Sequence, residues 1–243
     1  MLHSRAMGAA EQRRERQRGT ARPVYRAPEL ERAQTVPSER VGITNGLLML
    51  FPKMYAVGEL ELVDRPTVAI VGARKATAAG KQRAAQLARD LVRAGIVVVS
   101  GLAEGIDRAA HESAIDNGGR TIAVIGTPLD QVYPFGHAAL QELIYREHLV
   151  LSPFAWGDKF VPTNFPERNR VMARVAKATV IIEASETSGS LHQAAESVHI
   201  GHPIFIAQSV ASDPRLKWPA RFLAGKHAAV LTSAADVVRA LGT

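Results

Sequence analysis

Two arginines flank an asparagine at Arg168-Asn169-Arg170, where a loop is predicted to enter a helix after Phe165-Pro166-Glu167. An arginine guanidinium presents a planar fork of N–H donors that matches phosphate oxygens. The free backbone N–H groups of a helix start add partial positive charge. These residues are therefore suited to holding a phosphate group. The alternative is a capped helix start with solvated arginines.

Four further turns follow predicted strands, at 72–77, 100–107, 126–130 and 183–191, and they offer glycine, hydroxyl or cationic groups. Glycines let backbone N–H groups approach an anion closely, and serine hydroxyls add donors. Four such turns at one edge of a sheet predict a phosphate-lined groove. The predicted nucleic-acid contacts are Arg74, Lys75, Ser100, Gly101, Gly105, Arg168, Asn169, Arg170, Ser188, Gly189 and Ser190.

Catalytic, metal and cofactor sites find little support in the sequence. Asp107 and His111 lie four residues apart on one predicted helical face, but a catalytic pair needs a nucleophile within reach. We expect a capping aspartate and a packed histidine instead. The chain has no cysteine, which excludes thiol nucleophiles and cysteine-based metal sites. The dinucleotide and Walker fingerprints are both absent, so we predict no catalytic residue, metal or cofactor.

Apolar strands alternate with amphipathic helices from residue 66 onward, which predicts a Rossmann-like, doubly wound α/β fold. The sheet should be mostly parallel, with helices on both faces and ligands at the carboxyl ends of the strands. The predicted strands are 67–71, 96–99, 121–125, 149–151, 179–182, 204–207 and 229–231. The predicted helices are 79–94, 105–117, 138–147, 167–176, 189–200 and 234–241.

The chain of 243 residues carries a net charge of +7, and its front end is the basic part. Residues 1–40 hold nine arginines against five glutamates. We predict that they form a flexible basic arm, which either contacts nucleic-acid phosphates or only aids solubility. Residues 41–65 are predicted to be a short packed lead-in, and 66–243 the Rossmann-like domain. The sequence shows neither a secretion leader nor an apolar run of about 18 residues, so we expect a cytoplasmic protein.

Five motifs in order, spread over residues 66–207, resemble the DprA/Smf family of DNA-processing proteins. They are Gly72-Ala73-Arg74, Ser100 to Asp107, Tyr133-Pro134, Phe165 to Arg170, and Ser188-Gly189-Ser190. The resemblance implies a non-enzymatic domain that binds single-stranded DNA, forms a homodimer and loads a RecA-type recombinase during natural transformation. By position, Arg74 is similar to the family's phosphate-contacting arginine.

The sequence also departs from the family pattern. Phe135-Gly136-His137 follows Tyr133-Pro134 where a polar or basic residue and an asparagine are usual, and Pro153 stands where glutamate is typical. The loop at 208–218 replaces one that contains glycine and asparagine, and we expect the C-terminal winged-helix domain of many relatives to be absent. Stacking on bases would fall to Tyr133, Phe135 or Trp156, although we expect each of these in the core.

A second class of function stays open at this point. The broader superfamily includes nucleotide sensors and enzymes resembling the LOG phosphoribohydrolases, which cleave the base from a nucleoside monophosphate. Such enzymes carry a glycine-rich phosphate loop at the fifth strand. This chain has Ser188-Gly189-Ser190 there, with Glu196 near the position of the enzymes' glutamate.

Overall fold

The structure, a computed structural model, describes residues 28–43 and 46–242. Nine strands of the described part form one sheet in the order β1-β2-β6-β5-β4-β3-β7-β8-β9. The strands are β1 (Gln34–Pro37), β2 (Lys53–Gly58), β3 (Thr67–Gly72), β4 (Val97–Ser100), β5 (Thr121–Val124), β6 (Leu149–Ser152), β7 (Ala178–Glu183), β8 (Ile204–Ala207) and β9 (Ala228–Leu231). Neighbours from β6 through β9 run parallel, whereas β1 and β2 are antiparallel additions. The predicted mostly parallel α/β sheet is confirmed.

The helices of the described residues cover both faces of this sheet. They are α1 (Gly46–Leu50), α2 (Ala78–Arg93), α3 (Ile106–Asp116), α4 (Ala138–Glu147), α5 (Asn164–Val175), α6 (Ser190–His199), α7 (Gln208–Ala211), α8 (Trp218–Leu223) and α9 (Ala234–Leu241). Each strand and helix predicted between 67 and 241 is present, with ends that shift by a few residues. Helices α7 and α8 lie in a stretch where no helix was predicted.

The core is divided by the central strand β3, which is buried on both faces. Val68 and Ile70 pack in one apolar cluster with residues of α2 and α3, whereas Ala69 and Val71 pack in another with residues of α5. Alternate side chains of a strand point to opposite faces, so a strand covered on both sides reads as a continuous apolar run. This explains why the sequence of β3 is apolar throughout and does not alternate between apolar and polar residues.

The chain reverses direction across the sheet at β3. From β3 it moves outward through β4 and β5 to β6, and it then returns to β7 on the other side of β3. In open α/β sheets this switch leaves a crevice outside the carboxyl ends of the two strands that diverge. The crevice here lies between the ends of β3 and β7.

The front of the described chain differs from its prediction. Residues 28–40, expected to belong to a flexible arm, contain a short helical turn at Pro28–Arg32 and the edge strand β1, whose Val36 is buried opposite Met54 of β2. The lead-in contributes β2 to the same sheet, so it is more than a packed element in front of the domain. Residues 1–27 lie outside the described residues, and their role as a basic arm stays a prediction.

Candidate functional site

A crevice with a cavity of about 260 Å³ lies at the carboxyl ends of β3, β4 and β7, at the topological switch point. It is lined by Val71, Gly72, Ala73, Arg74, Ala103, Asp107, Phe165, Pro166, Arg168, Asn169, Met172, Ser188, Gly189, Ser190 and Gln193. Three of the four predicted turns and helix α5 therefore meet at one place.

The loop after β3 is held in shape by a carboxylate from β7. Both oxygens of Glu183 accept from the backbone N–H of Thr77, at 3.1 and 3.3 Å, and one accepts from its hydroxyl at 2.8 Å. The same hydroxyl accepts from the N–H of Gly80 at 2.9 Å and caps α2. This bracing leaves Arg74 and Lys75 exposed on the loop.

Arg74 lies over an aromatic ring at the mouth of the cavity. Its guanidinium carbon is 4.5 Å from the centre of the Phe165 ring, within the range of a cation–π interaction. Phe165 also contacts Tyr133 and Phe160, whose ring centres lie 5.1 Å apart in a stacked arrangement. We call Tyr133, Phe160 and Phe165 the aromatic rim.

The prediction that Tyr133, Phe135 and Trp156 belong to the core is wrong. Their exposed fractions are 39%, 68% and 52%. Aromatic side chains usually gain most from burial, so composition alone favours the core for each of them. Tyr133 instead packs against Phe165, the ring on which Arg74 lies.

The loop after β4 supports the crevice from below through buried residues. The hydroxyl of Ser100 donates to the carbonyl of Ile70 at 2.7 Å. Gly105 has φ +83°, and a Cβ there would lie 2.3 Å from the carbonyl oxygen of Ala73. Gly101 faces Arg168 so closely that a Cβ would lie 2.1 Å from its Nη1 atom. These three predicted contacts shape the loop, and each is buried.

Arg168 lines the crevice from a buried position. Its Nη1 donates to the carbonyl oxygens of Gly101 and, at 2.6 Å, of Val124, and only 4% of the residue is exposed. Burial lowers its pKa to about 10, while the charge of Asp107 acts in the opposite direction. The guanidinium thus stays charged at neutral pH and is committed to backbone carbonyls. This position does not suit the direct phosphate contact predicted from the sequence.

Asn169 and Arg170 diverge because successive helical residues point about 100° apart. Asn169 is buried, and its Nδ2 donates to the carbonyl of Gly189 at 3.0 Å. Arg170 points to the other side of α5, where its Nε lies 3.6 Å from Glu196. The helix begins at Asn164, so all three residues lie more than one turn inside it. The predicted helix start at 167 is thus corrected.

Glu196 belongs to a second, larger cavity of about 1070 Å³ on the far side of α5. Its carboxylate pairs with Arg174 and lies near Arg170. The phosphoribohydrolase alternative depended on a glutamate at this position acting beside the strand ends. In the structure Glu196 does not line the crevice.

The turn before α6 forms the opposite wall. Ser188 accepts from the N–H of Ser185 at 2.8 Å, and Gly189 is exposed. Ser190 is only 9% exposed, and its hydroxyl has no hydrogen-bond partner in the described part of the chain. Gln193, one turn later, is fully buried and also lines the cavity. Sequence reasoning missed Gln193, although its spacing of three from Ser190 places both on one helical face.

Asp107 and His111 have separate structural partners. Asp107 accepts from the N–H groups of Gly101 at 3.1 Å and of Ala103 at 3.4 Å, and burial raises its pKa. The Nδ1 atom of His111 lies 2.7 Å from the Thr121 hydroxyl, and burial lowers the pKa of His111 to about 3. His111 is thus packed as expected, whereas Asp107 binds the loop before α3 and does not cap the helix.

Comparison with known proteins shows which family the chain belongs to. A family model described as DNA recombination-mediator protein A matches residues 48–242. The chain belongs to this DprA/Smf family. The DprA of Streptococcus pneumoniae is 37% identical over 185 residues, which cover 76% of this chain and 65% of that protein. The chain spans less than two thirds of the length of curated DprA and Smf proteins that it matches.

Solved DprA structures share the fold. The X-ray structure of DprA from Streptococcus pneumoniae superposes with a TM-score of 0.75 at 33% identity, and covers 87% of this chain and 75% of that chain. DprA from Helicobacter pylori, whose structure is described as showing a single-stranded DNA binding mode, gives 0.72 at 28% identity, with 86% and 95% covered. The Rossmann-like DprA fold predicted from five motifs is confirmed.

The described part of the chain was compared with the requirements of a metal site and of a membrane-spanning helix, and it meets neither. Residues 28–43 and 46–242 contain no group of three or more histidine, aspartate or glutamate side chains placed to hold a metal ion. None of the helices within these ranges combines the length and apolarity needed to cross a bilayer.

Proposed function

We propose that this protein binds single-stranded DNA at the crevice and acts in DNA recombination without cleaving the strand. The observation that carries the proposal is the exposed Arg74 guanidinium seated on the Phe165 ring at the mouth of the cavity. A cation fixed on an aromatic face can contact a phosphate while neighbouring rings receive bases, which is how sequence-tolerant single-strand sites are built. The relative from Helicobacter pylori supports the same ligand.

The charge of the crevice favours a polyanion. The ion pairs in the described part of the chain use cations other than Arg74 and Lys75. Two carboxylates at this end of the sheet are occupied, since Glu183 binds Thr77 and Asp107 binds backbone N–H groups. The positive charge of the loop after β3 is thus available to phosphate.

The aromatic rim supports a preference for single strands. In a duplex the base faces are stacked on one another and cannot lie on protein rings, whereas an unpaired base can stack on Tyr133 or Phe160. Stacking on protein aromatics contributes about 1–3 kcal/mol per base. Phosphate contacts alone would bind both forms of DNA.

Family membership carries the proposal further. We infer that the protein is a cytoplasmic homodimer that protects incoming strands and loads a RecA-type recombinase during DNA uptake. The basic residues 1–27 would add phosphate contacts. Arg168, Ser100, Gly101 and Gly105 act as positioning residues that hold the two loops, and Arg74 with Lys75 makes the direct contacts. Arg170, on the other side of α5, lies outside this set.

The test compares the salt dependence of strand binding in two single variants of equal charge. Arg74→Ala should weaken binding of a labelled oligothymidine, measured by fluorescence anisotropy, and lower the slope of log affinity against log salt by about 0.7 to 1. Arg93→Ala is the matched control, because Arg93 is exposed at the far end of α2. If Arg74→Ala left the slope of log affinity against log salt unchanged, the crevice would not be part of the binding surface. Saturable binding of adenosine monophosphate without strand binding would favour a nucleotide sensor or phosphoribohydrolase.

A further inference from the structure

The start of helix α2 is occupied by an anion that belongs to the protein itself. Rossmann-like folds hold the phosphate of a nucleotide at the N-terminus of the helix that follows a central strand. Here both carboxylate oxygens of Glu183 accept from the backbone N–H of Thr77, the residue before α2, at 3.1 and 3.3 Å. One of them also accepts from the Thr77 hydroxyl at 2.8 Å. We call this position the anion seat of α2.

The first turn of α2 is shaped to receive this carboxylate. Gly80 lies in that turn, and a Cβ on it would lie 2.1 Å from Oε2 of Glu183. The backbone of Gly80 is helical, and glycine is less favourable than alanine inside a helix. The glycine is therefore explained by the close approach of the carboxylate and not by an unusual backbone conformation.

The anion seat is separate from the crevice. The crevice lies on the side of α5 and α6, and Glu183 is not among the residues that line it. Helix α2 packs on the opposite face of the sheet from α5. Glu183, at the end of β7, thus fills the seat on the α2 side, while Arg74, on the loop between β3 and α2, stays exposed.

We propose that Glu183 is a specificity-determining residue, which closes the start of α2 to phosphate and prevents the domain from holding a free nucleotide there. A protein can reject a competitor by placing a like charge where that competitor would bind. A mononucleotide has a single phosphate group, so losing its seat costs it a main contact. A strand has many phosphates and can be held by cations and rings elsewhere. The inference rests on the proposed strand binding, but the closed seat can be tested without a strand.

The experiment measures binding of inorganic phosphate and of adenosine monophosphate by the full chain and three variants. Glu183→Ala empties the seat and frees the N–H and hydroxyl of Thr77, so both ligands should bind about tenfold or more tightly than to the natural protein. Glu183→Gln keeps the seat filled, because its amide oxygen still accepts from Thr77, and should gain less than about threefold. Glu104→Ala, the matched control, removes an exposed carboxylate from the loop after β4 and should change neither affinity.

Two further measurements locate the phosphate and control for folding. In Glu183→Ala the Thr77 hydroxyl can still accept from the N–H of Gly80, so the helix start should remain capped. Phosphate should then shift the amide resonances of residues 77–80 in this variant and not in the natural protein. Gly80→Ala should lower the melting temperature of the natural protein, because its Cβ meets the carboxylate, and should not lower that of Glu183→Ala.

The outcomes separate this inference from strand binding. Equal gains in Glu183→Ala and Glu183→Gln would assign the effect to lost charge alone and overturn the closed seat, as would the absence of any gain in Glu183→Ala. If strands bind as proposed, the ratio of affinity for oligothymidine to affinity for adenosine monophosphate should fall about tenfold in Glu183→Ala and less than about threefold in Glu183→Gln. If no form bound a strand, the proposed function would fail, whereas a gain of phosphate binding confined to Glu183→Ala would still support the closed seat.

Discussion

Arg168 and Arg170 belong to one motif, and the structure predicts very different consequences for replacing them with methionine. Arg168→Met removes the donor from the carbonyls of Gly101 and Val124 and leaves Asp107 without its nearest compensating charge. Each of the two orphaned carbonyls costs about 1–3 kcal/mol, and the loss of the positive charge that opposes the raised pKa of Asp107 acts in the same direction. Because these costs overlap, we expect a loss of about 3–5 kcal/mol in the free energy of unfolding.

Arg170→Met is the matched control. Its side chain is 49% exposed and lies 3.6 Å from Glu196, so its removal should cost less than about 1 kcal/mol. Urea unfolding followed by circular dichroism measures both variants. A difference of less than about 1 kcal/mol between them, with the same dependence on urea, would refute the positioning role of Arg168. Domains of this kind have about 5–15 kcal/mol in total, so the expected loss is large enough to measure.

Three further predictions follow from the same structure. His111 is neutral in the fold with a pKa of about 3, well below its usual 6.5, so the unfolded chain binds the extra proton first. Its contribution should lower the free energy of unfolding by about 2 kcal/mol between pH 7 and pH 5, and His111→Asn should remove that part of the slope in urea titrations, leaving the smaller part from His148 and His202, whose pKa values burial also lowers. Gly105→Ala should destabilise the fold by about 3 kcal/mol, because Gly105 has a φ of +83° and a Cβ there would overlap neighbouring backbone atoms. Gly118→Ala is the control: Gly118 has φ +72° but open space around it, so this variant should cost about 1 kcal/mol. Tyr133→Leu should weaken oligothymidine binding about fivefold or more without changing its salt slope, and an altered slope would count against stacking.

Much of the fold could be predicted because it is encoded locally. The apolar run of β3 and the amphipathic patterns of α2 and α3 are set by residues close together in the sequence. Parallel strands bring their carboxyl ends to one edge, so turns that are far apart in the chain could be assigned to one site before the structure was known. The exposed position of Arg74 follows from the same reasoning, since it comes directly after a buried strand.

The remaining features depend on contacts that no local pattern specifies. β2 is placed by pairing with β6, far along the chain, and β1 by pairing with β2. The burial of Arg168 depends on how α5 packs against the strand ends, because residues two apart on a helix point about 200° apart and only one arginine of the motif can face inward. The place of Gln193 in the cavity wall became visible only once the side chains of α6 were placed against the strand ends.

The most direct test of strand recognition at the crevice is the affinity of the unmodified protein for oligothymidine against duplex DNA of equal length, at low and at physiological salt. Phosphate contacts weaken with salt for both ligands, whereas base contacts are available only in the single strand. We predict a preference of about tenfold or more for the single strand that persists or grows at physiological salt, and that falls when Tyr133 is replaced by leucine. Equal affinity for the two forms at both salt concentrations would contradict recognition of unpaired bases at this crevice.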